Sequence, residues 1–114
     1  MAYTVSISDL AHLLQHSSAP VLLDVRRRPA FDQDSRIIPG AIWKDPFAVG
    51  EWAREIAPAT SVIVYCVHGR EVSNGVVNLL RTLGFDAWLI EGGIEAWKAA
   101  GGILASDRSS GEIA

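Results

Sequence analysis

The chain alternates short, wholly apolar runs with stretches in which apolar residues recur at helical spacing. Tyr3 to Ile7 reads as a short strand, and Ser8 as the N-cap of a helix in which Leu10, Leu13 and Leu14 share a face. Pro20 ends that helix. Val21-Leu22-Leu23-Asp24-Val25 is apolar at consecutive positions, as a strand covered on both faces requires, and its single charge lies near its end. Pro39-Gly40-Ala41 reads as a turn into a short strand at Ile42-Trp43, and Asp45-Pro46 as the cap and first residue of a short helix through Trp52. Ser61-Val62-Ile63-Val64-Tyr65 is predicted to be the central strand. Val72, Val76, Leu79, Leu80 and Leu83 then fall on one helical face, with Gly84 as the terminating glycine. Ala87-Trp88-Leu89-Ile90 is a further strand. Gly92-Gly93 leads into a last helix with Ile94 and Trp97 on one side, closed by Gly101-Gly102.

Five strands interleaved with helices predict an α/β domain built on a mostly parallel five-stranded sheet with helices on both faces. In such sheets ligands bind beyond the carboxyl ends of the strands, where Asp24 and Cys66 both lie. The 114 residues suit one domain, expected over residues 1–104, with a polar tail over 105–114. A hydrophobic content of 49% with four tryptophans supplies a core and argues against disorder. A formal net charge of -3 gives no electrostatic ground for a nucleic-acid partner. No apolar run approaches the ~20 residues that span a bilayer. Met1 to Asp9 carries neither a basic region nor a long apolar one, so no secretory signal is expected. One cysteine cannot form an internal disulfide, and these features together favour the cytoplasm, where thiols stay reduced.

That cysteine, Cys66, stands where the central strand runs into a helix. A thiol there faces the amides and positive end of the next helix, which stabilise a thiolate, the nucleophilic form. Backbone amides from Val67 through His68, Gly69, Arg70 and Glu71 to about Val72 could converge on a group attached to the sulfur, with Gly69 letting the backbone turn inward. Arg70 could add positive charge for an anionic substrate. The competing reading is a buried core thiol, since free cysteine is among the most buried residues. Asp24 could bond to loop amides and hold the neighbouring loop. Arg26 could bind a donor anion, whereas Arg27, Arg28 and Arg36 read as a solvated face. His68 could donate to a substrate or simply be an exposed loop residue. His12 and His16 are four apart on the first predicted helix, a spacing able to hold a metal, but no third ligand is suggested and no metal is expected. Trp43 or Trp97 could approach the site rim, although all four tryptophans are best read as packing. Gly92-Gly93 lacks the rest of any phosphate-binding fingerprint and reads as a strand-to-helix turn.

Four segments in order resemble the rhodanese family, across nearly the whole chain. They are Leu23-Asp24-Val25-Arg26 with Phe31, then Ile38-Pro39-Gly40-Ala41, then Val64-Tyr65-Cys66-Val67-His68-Gly69, and finally Leu83-Gly84-Phe85 with Glu91-Gly92-Gly93-Ile94-Glu95-Ala96-Trp97. The resemblance implies a single-domain, rhodanese-like fold and a thiosulfate sulfurtransferase-like activity. Cys66 would take the outer sulfur of a small anionic donor such as thiosulfate, hold it as a persulfide, and pass it to a thiol or cyanide. The loop amides would stabilise the persulfide, with no cofactor, and Asp24 would support the loop. A protein could replace either small partner.

Two positions depart from the family pattern. Glu71 is sixth in the loop counted from Cys66, where many members carry arginine, threonine or another residue compatible with an anion. A carboxylate there opposes an anionic donor, unless it points away along the first helical turn. Ser35-Arg36 replaces a glycine-histidine pair that often precedes Ile-Pro-Gly. Related folds carry phosphatases and arsenate reductases with an arginine six residues after the cysteine; here that residue is Val72, which leaves a tetrahedral oxyanion unclamped. The remaining alternative is a carrier or redox-sensing module that takes sulfur from a protein partner with little turnover, and Glu71 makes it a serious one.

Overall fold

The strands β1 (Thr4–Val5), β2 (Val21–Asp24), β3 (Ile42–Trp43), β4 (Ser61–Tyr65) and β5 (Asp86–Ile90) form one sheet in the order β1-β5-β4-β2-β3. Every ladder is parallel, and β4 lies in the middle with β2 and β5 beside it. The structure, a computed structural model, describes residues 3–15 and 20–106. The helices are α1 (Ile7–Leu13), α2 (Arg28–Gln33), α3 (Val49–Trp52), which runs into a 3-10 turn at Ala53–Glu55, α4 (Glu71–Thr82) and α5 (Gly93–Ala99).

Alternation along the strands divides the apolar residues between two cores. Leu23, Val62, Val64, Ala87 and Leu89 point to the face covered by α3 and α4, where they meet Trp52, Val76, Val77 and Leu80. Leu22, Ile63, Tyr65 and Ile90 point to the other face and meet Leu10, Phe31, Ile38, Ile94 and Trp97, carried chiefly by α1, α2 and α5. A sheet covered on both faces needs consecutive apolar residues, and that is why these strands show no polar alternation.

Local chemistry moves several predicted boundaries. Ser6, not Ser8, caps α1: its Oγ accepts the Asp9 amide at 3.0 Å, and β1 is correspondingly only two residues long. Asp45 makes a turn, its Oδ1 accepting the Phe47 amide at 2.9 Å, so α3 begins only at Val49. Helix α2, whose first turn contains Pro29, was not anticipated; six residues with one buried side chain, Phe31, give almost no periodic signal. In α4 the buried face is Ser73, Val76, Val77 and Leu80, while Leu79 and Leu83 are exposed. The helix leans on the sheet along Val76, Val77 and Leu80, which turns the Leu79 and Leu83 side chains outward. Gly84 does end α4, with φ +97°, and the Phe85 amide reaches back to the Leu80 carbonyl at 3.0 Å. Past Ile103, Ala105 pairs with Ile37 through two hydrogen bonds of 2.8 Å, so the chain is held to the domain one residue beyond the expected boundary. His16 and the tail from residue 107 onward lie outside the described residues.

Candidate functional site at the end of the central strand

Cys66 follows β4 directly, and its side chain is largely buried yet lines a cavity of about 400 Å³. Val67, His68, Arg70, Glu71 and Val72 line the same cavity, together with Arg26, Arg27 and Ala30. A larger cavity, about 530 Å³, opens at the amino ends of β4 and β5 beside His12, Ser61 and Asp86. It contains no cysteine, and chemistry rather than size singles out the smaller one.

The loop after Cys66 is held from behind by α5. The Ile94 amide donates to the Cys66 carbonyl at 3.0 Å and the Glu95 amide to the Val67 carbonyl at 3.1 Å. In a trans peptide a carbonyl and the amide that follows it point in opposite directions. The Val67 and His68 amides therefore point away from α5, and both residues line the cavity. Among the described residues no backbone acceptor receives any amide from residue 67 through residue 73. Those of Glu71, Val72 and Ser73 belong to the first turn of α4, whose amides have no partner inside the helix, and the N-cap residue Arg70 gives no side-chain cap.

Two glycines make this approach feasible. Gly69 has φ +69°, and a Cβ on it would lie 2.8 Å from the Ile90 carbonyl oxygen and 2.9 Å from the Gly92 amide nitrogen. Gly93 has φ +64°, and a Cβ there would meet the Val67 carbonyl oxygen at 2.5 Å and the Cys66 carbonyl oxygen closer still. Gly92-Gly93 is thus more than a strand-to-helix turn: it lets the start of α5 sit against the carbonyls of the cysteine loop. Gly69 faces that contact and does not line the cavity.

Ser73 is the site residue that sequence reasoning missed. It is fully buried, and the Cys66 thiol donates to its Oγ at 3.1 Å. The Ser73 hydroxyl in turn donates to the Arg70 carbonyl at 3.4 Å. A polar residue on the otherwise apolar face of α4, seven residues after the cysteine, was the available signal.

Asp24 and Arg26 are placed differently from the expectation for Arg26. Both are buried, and the guanidinium grips the Asp24 carboxylate through Nε at 3.0 Å and Nη2 at 2.6 Å. Its remaining contacts are the Asp34 carbonyl at 2.7 Å and the Arg36 carbonyl at 2.9 Å. The Arg26 side chain is therefore spent on closing the 34–36 loop onto β2. It clamps that loop and also lines the cavity, with four of its five guanidinium N–H groups engaged by protein acceptors. Asp34 is itself tied to Arg36 and Lys98, with the Arg36 hydrogen bond chiefly holding its carboxyl well below the usual carboxylate range. Tyr65 completes the support: its hydroxyl accepts the Ile38 amide at 3.1 Å, and burial, reinforced by the Asp24 charge, pushes its ionisation far above the ordinary tyrosine value.

Besides Arg26, the cations that line the cavity are Arg70 and Arg27, both exposed, and His68 is exposed beside them. Glu71 sits in the first turn of α4, as expected, but also lines the cavity instead of pointing away from it. Val72 is half-buried against the α4-side core, where an arginine would clamp an oxyanion in a phosphatase-type loop. Trp43 donates Nε1–H to the Arg26 carbonyl at 2.9 Å, and Trp97 donates to the Ile103 carbonyl at 2.8 Å; neither lines the cavity. Among the described residues no cluster of three or more His, Cys, Asp or Glu side chains is placed to hold a metal, and no helix is long and apolar enough to cross a membrane.

Comparison with known proteins points the same way. The profile of the Rhodanese-like domain matches residues 6–100. A comparison with curated proteins gave no match. Among solved structures, the rhodanese-like domain of an Anabaena sp. protein is 28% identical, with a TM-score of 0.77 over 100% of this chain and 86% of that one. A thiosulfate sulfurtransferase from Pseudomonas aeruginosa is 25% identical, with a TM-score of 0.79 over 96% of this chain but only 20% of the larger protein. A rhodanese-related protein from Thermoplasma volcanium, at 24% identity, shares the fold with a TM-score of 0.76, covering 90% of this chain and 96% of that one.

Proposed function

The chain belongs to the Rhodanese-like domain family, and on that premise we propose that it is a sulfurtransferase working through a persulfide on Cys66. The observation that carries the proposal is the orientation of the cysteine loop. Its two leading carbonyls are turned to α5 and its amides are left without backbone acceptors beside a cavity that reaches the cysteine. Such a loop offers donors to an anion on the sulfur and asks for no general base.

In the resting state the thiol donates to Ser73 Oγ. When the thiol gives its proton to solvent water at the cavity, the Ser73 hydroxyl is free to turn from the Arg70 carbonyl and donate to the thiolate. The thiolate attacks the outer sulfur of a thiosulfate-like donor: a new S–S bond forms, the donor's S–S bond breaks, and its electron pair leaves with sulfite. Arg70 and Arg27 favour entry of the anionic donor. The outer sulfur of the persulfide then carries the negative charge, solvated by the loop amides. An acceptor thiolate or cyanide attacks that outer sulfur, and the Cys66 thiolate is released. Arg26 forms part of the cavity wall, and its pairing with Asp24 fixes the chain that borders the cavity.

Intact mass after incubation with thiosulfate, then after cyanide, tests this in the wild type and in Cys66→Ser. The wild type is expected to gain one sulfur and lose it to cyanide, and the variant to gain none. An equal gain in Cys66→Ser removes Cys66 as the nucleophile. No gain with thiosulfate, mercaptopyruvate or a protein persulfide removes the sulfurtransferase reading.

A further inference from the structure

Apart from Arg26, the charged side chains that line the Cys66 cavity are of both signs and form no ion pair among the described residues. Arg26, in the cavity wall, pairs with Asp24, and elsewhere Arg28, Arg36, Lys44, Arg81 and Lys98 each pair with a carboxylate. Arg70, Arg27 and Glu71, which line the cavity, form no ion pair among the described residues. Arg27 lies instead over the Phe47 ring, 5.9 Å from its centroid. An anionic donor alone would be served better without a carboxylate at the entrance, because a like charge within a few ångströms repels it. A two-step sulfur transfer, however, admits two substrates through one mouth. The second explains Glu71.

We propose that the cavity selects a zwitterionic thiol, one carrying both an ammonium and a carboxylate group, as the sulfur acceptor. Glu71 takes the ammonium, and Arg70 or Arg27 takes the carboxylate. The proposal rests on the persulfide reading above and names the acceptor class for it. The anionic donor uses the arginines in the first half-reaction; the acceptor uses both signs in the second. The acceptor thiolate attacks the outer sulfur of the Cys66 persulfide, forms the new S–S bond and releases the Cys66 thiolate, so sulfur moves with no added oxidant or reductant.

The test compares acceptors on pre-charged protein. The full chain is loaded with thiosulfate, freed of donor and checked by intact mass. It is then discharged by cysteine, by N-acetylcysteine, which lacks the ammonium, and by cysteamine, which lacks the carboxylate, at matched thiolate concentrations. Cysteine is expected to be faster than N-acetylcysteine by about 1.5- to fivefold, the range of an exposed ion pair. Glu71→Gln should erase that advantage, and Arg70→Gln with Arg27→Gln should erase the advantage of cysteine over cysteamine. Because each variant is judged on a ratio of acceptors, a general loss of stability or loading does not mimic the result. An unchanged cysteine to N-acetylcysteine ratio in Glu71→Gln overturns the proposal. A second measurement needs no sulfur transfer: protection of Cys66 from iodoacetamide by S-methylcysteine compared with its N-acetyl form. Better protection by the zwitterion, lost in Glu71→Gln, supports the recognition even if loading by thiosulfate fails and the sulfurtransferase reading falls with it. Equal protection by the two forms overturns it.

Discussion

Replacing Gly93 by alanine puts one methyl group between α5 and the cysteine loop, at φ +64°, within 2.5 Å of the Val67 carbonyl oxygen and closer to that of Cys66. Neither neighbour is a flexible side-chain end; both are backbone, and both accept hydrogen bonds from α5. The left-handed conformation alone costs a non-glycine residue about 1–2 kcal/mol. Overpacking against fixed atoms adds about 1–3 kcal/mol. The expected loss is therefore about 2–5 kcal/mol, a large part of the ~5–15 kcal/mol typical of a domain. Urea denaturation measures it. The matched control is Gly75→Ala in α4, where a Cβ meets nothing within 4 Å and φ is not positive. Removing a mid-helix glycine there should stabilise by about 0.5–1 kcal/mol. The mechanism adds a second readout. If the methyl pushes the Cys66 and Val67 carbonyls off α5, the amides behind them turn as well, and persulfide loading slows at temperatures where Gly93→Ala is still folded. A stability loss below about 0.5 kcal/mol refutes the steric argument. A destabilised variant that loads sulfur at the wild-type rate refutes the claim that α5 orients the loop.

Two further substitutions probe the support behind the site. Arg26→Ala leaves the Asp24 carboxylate buried without its partner, and should cost about 3–5 kcal/mol in urea denaturation, whereas Arg26→Met with Asp24→Leu should recover much of that loss; equal destabilisation by both would contradict the ion-pair account. Tyr65 has its folded-state ionisation raised above the ordinary tyrosine value of 10.0, so its contribution to stability is complete below pH 10 and is lost as pH rises beyond it, where the unfolded chain ionises first. Stability measured between about pH 9 and about pH 11 should fall more steeply in the wild type than in Tyr65→Phe, which pays a constant penalty of about 1–3 kcal/mol for the orphaned Ile38 amide. Parallel slopes would show that Tyr65 ionises normally.

The elements that could be read from the chain were those whose signal is local. Val62 to Tyr65 reads as a doubly covered strand because it is short, apolar at consecutive positions and rich in β-branched residues, and Cys66 falls near its carboxyl end because the run gives way to His68-Gly69 one residue later. Gly84 announced the end of α4 for the same kind of reason, since only glycine turns there at low cost. Short elements gave little: α2 is too brief for its period to show, and in α4 the choice between Val77 and Leu79 as the buried residue depended on how the helix leans on the sheet. Arg26 carried a charge suited to an anion, but its place in the buried cluster depends on Asp24 and on two carbonyls from the 34–36 loop. The Ser73 contact to Cys66 and the grip of α5 on the loop carbonyls likewise arise only when separate elements meet. By itself the sequence determined a layered α/β domain with one thiol at a strand end. Tertiary structure decided what that thiol touches, because hydrogen-bond direction and side-chain orientation at the carboxyl end of a parallel sheet are set by neighbours far away along the chain.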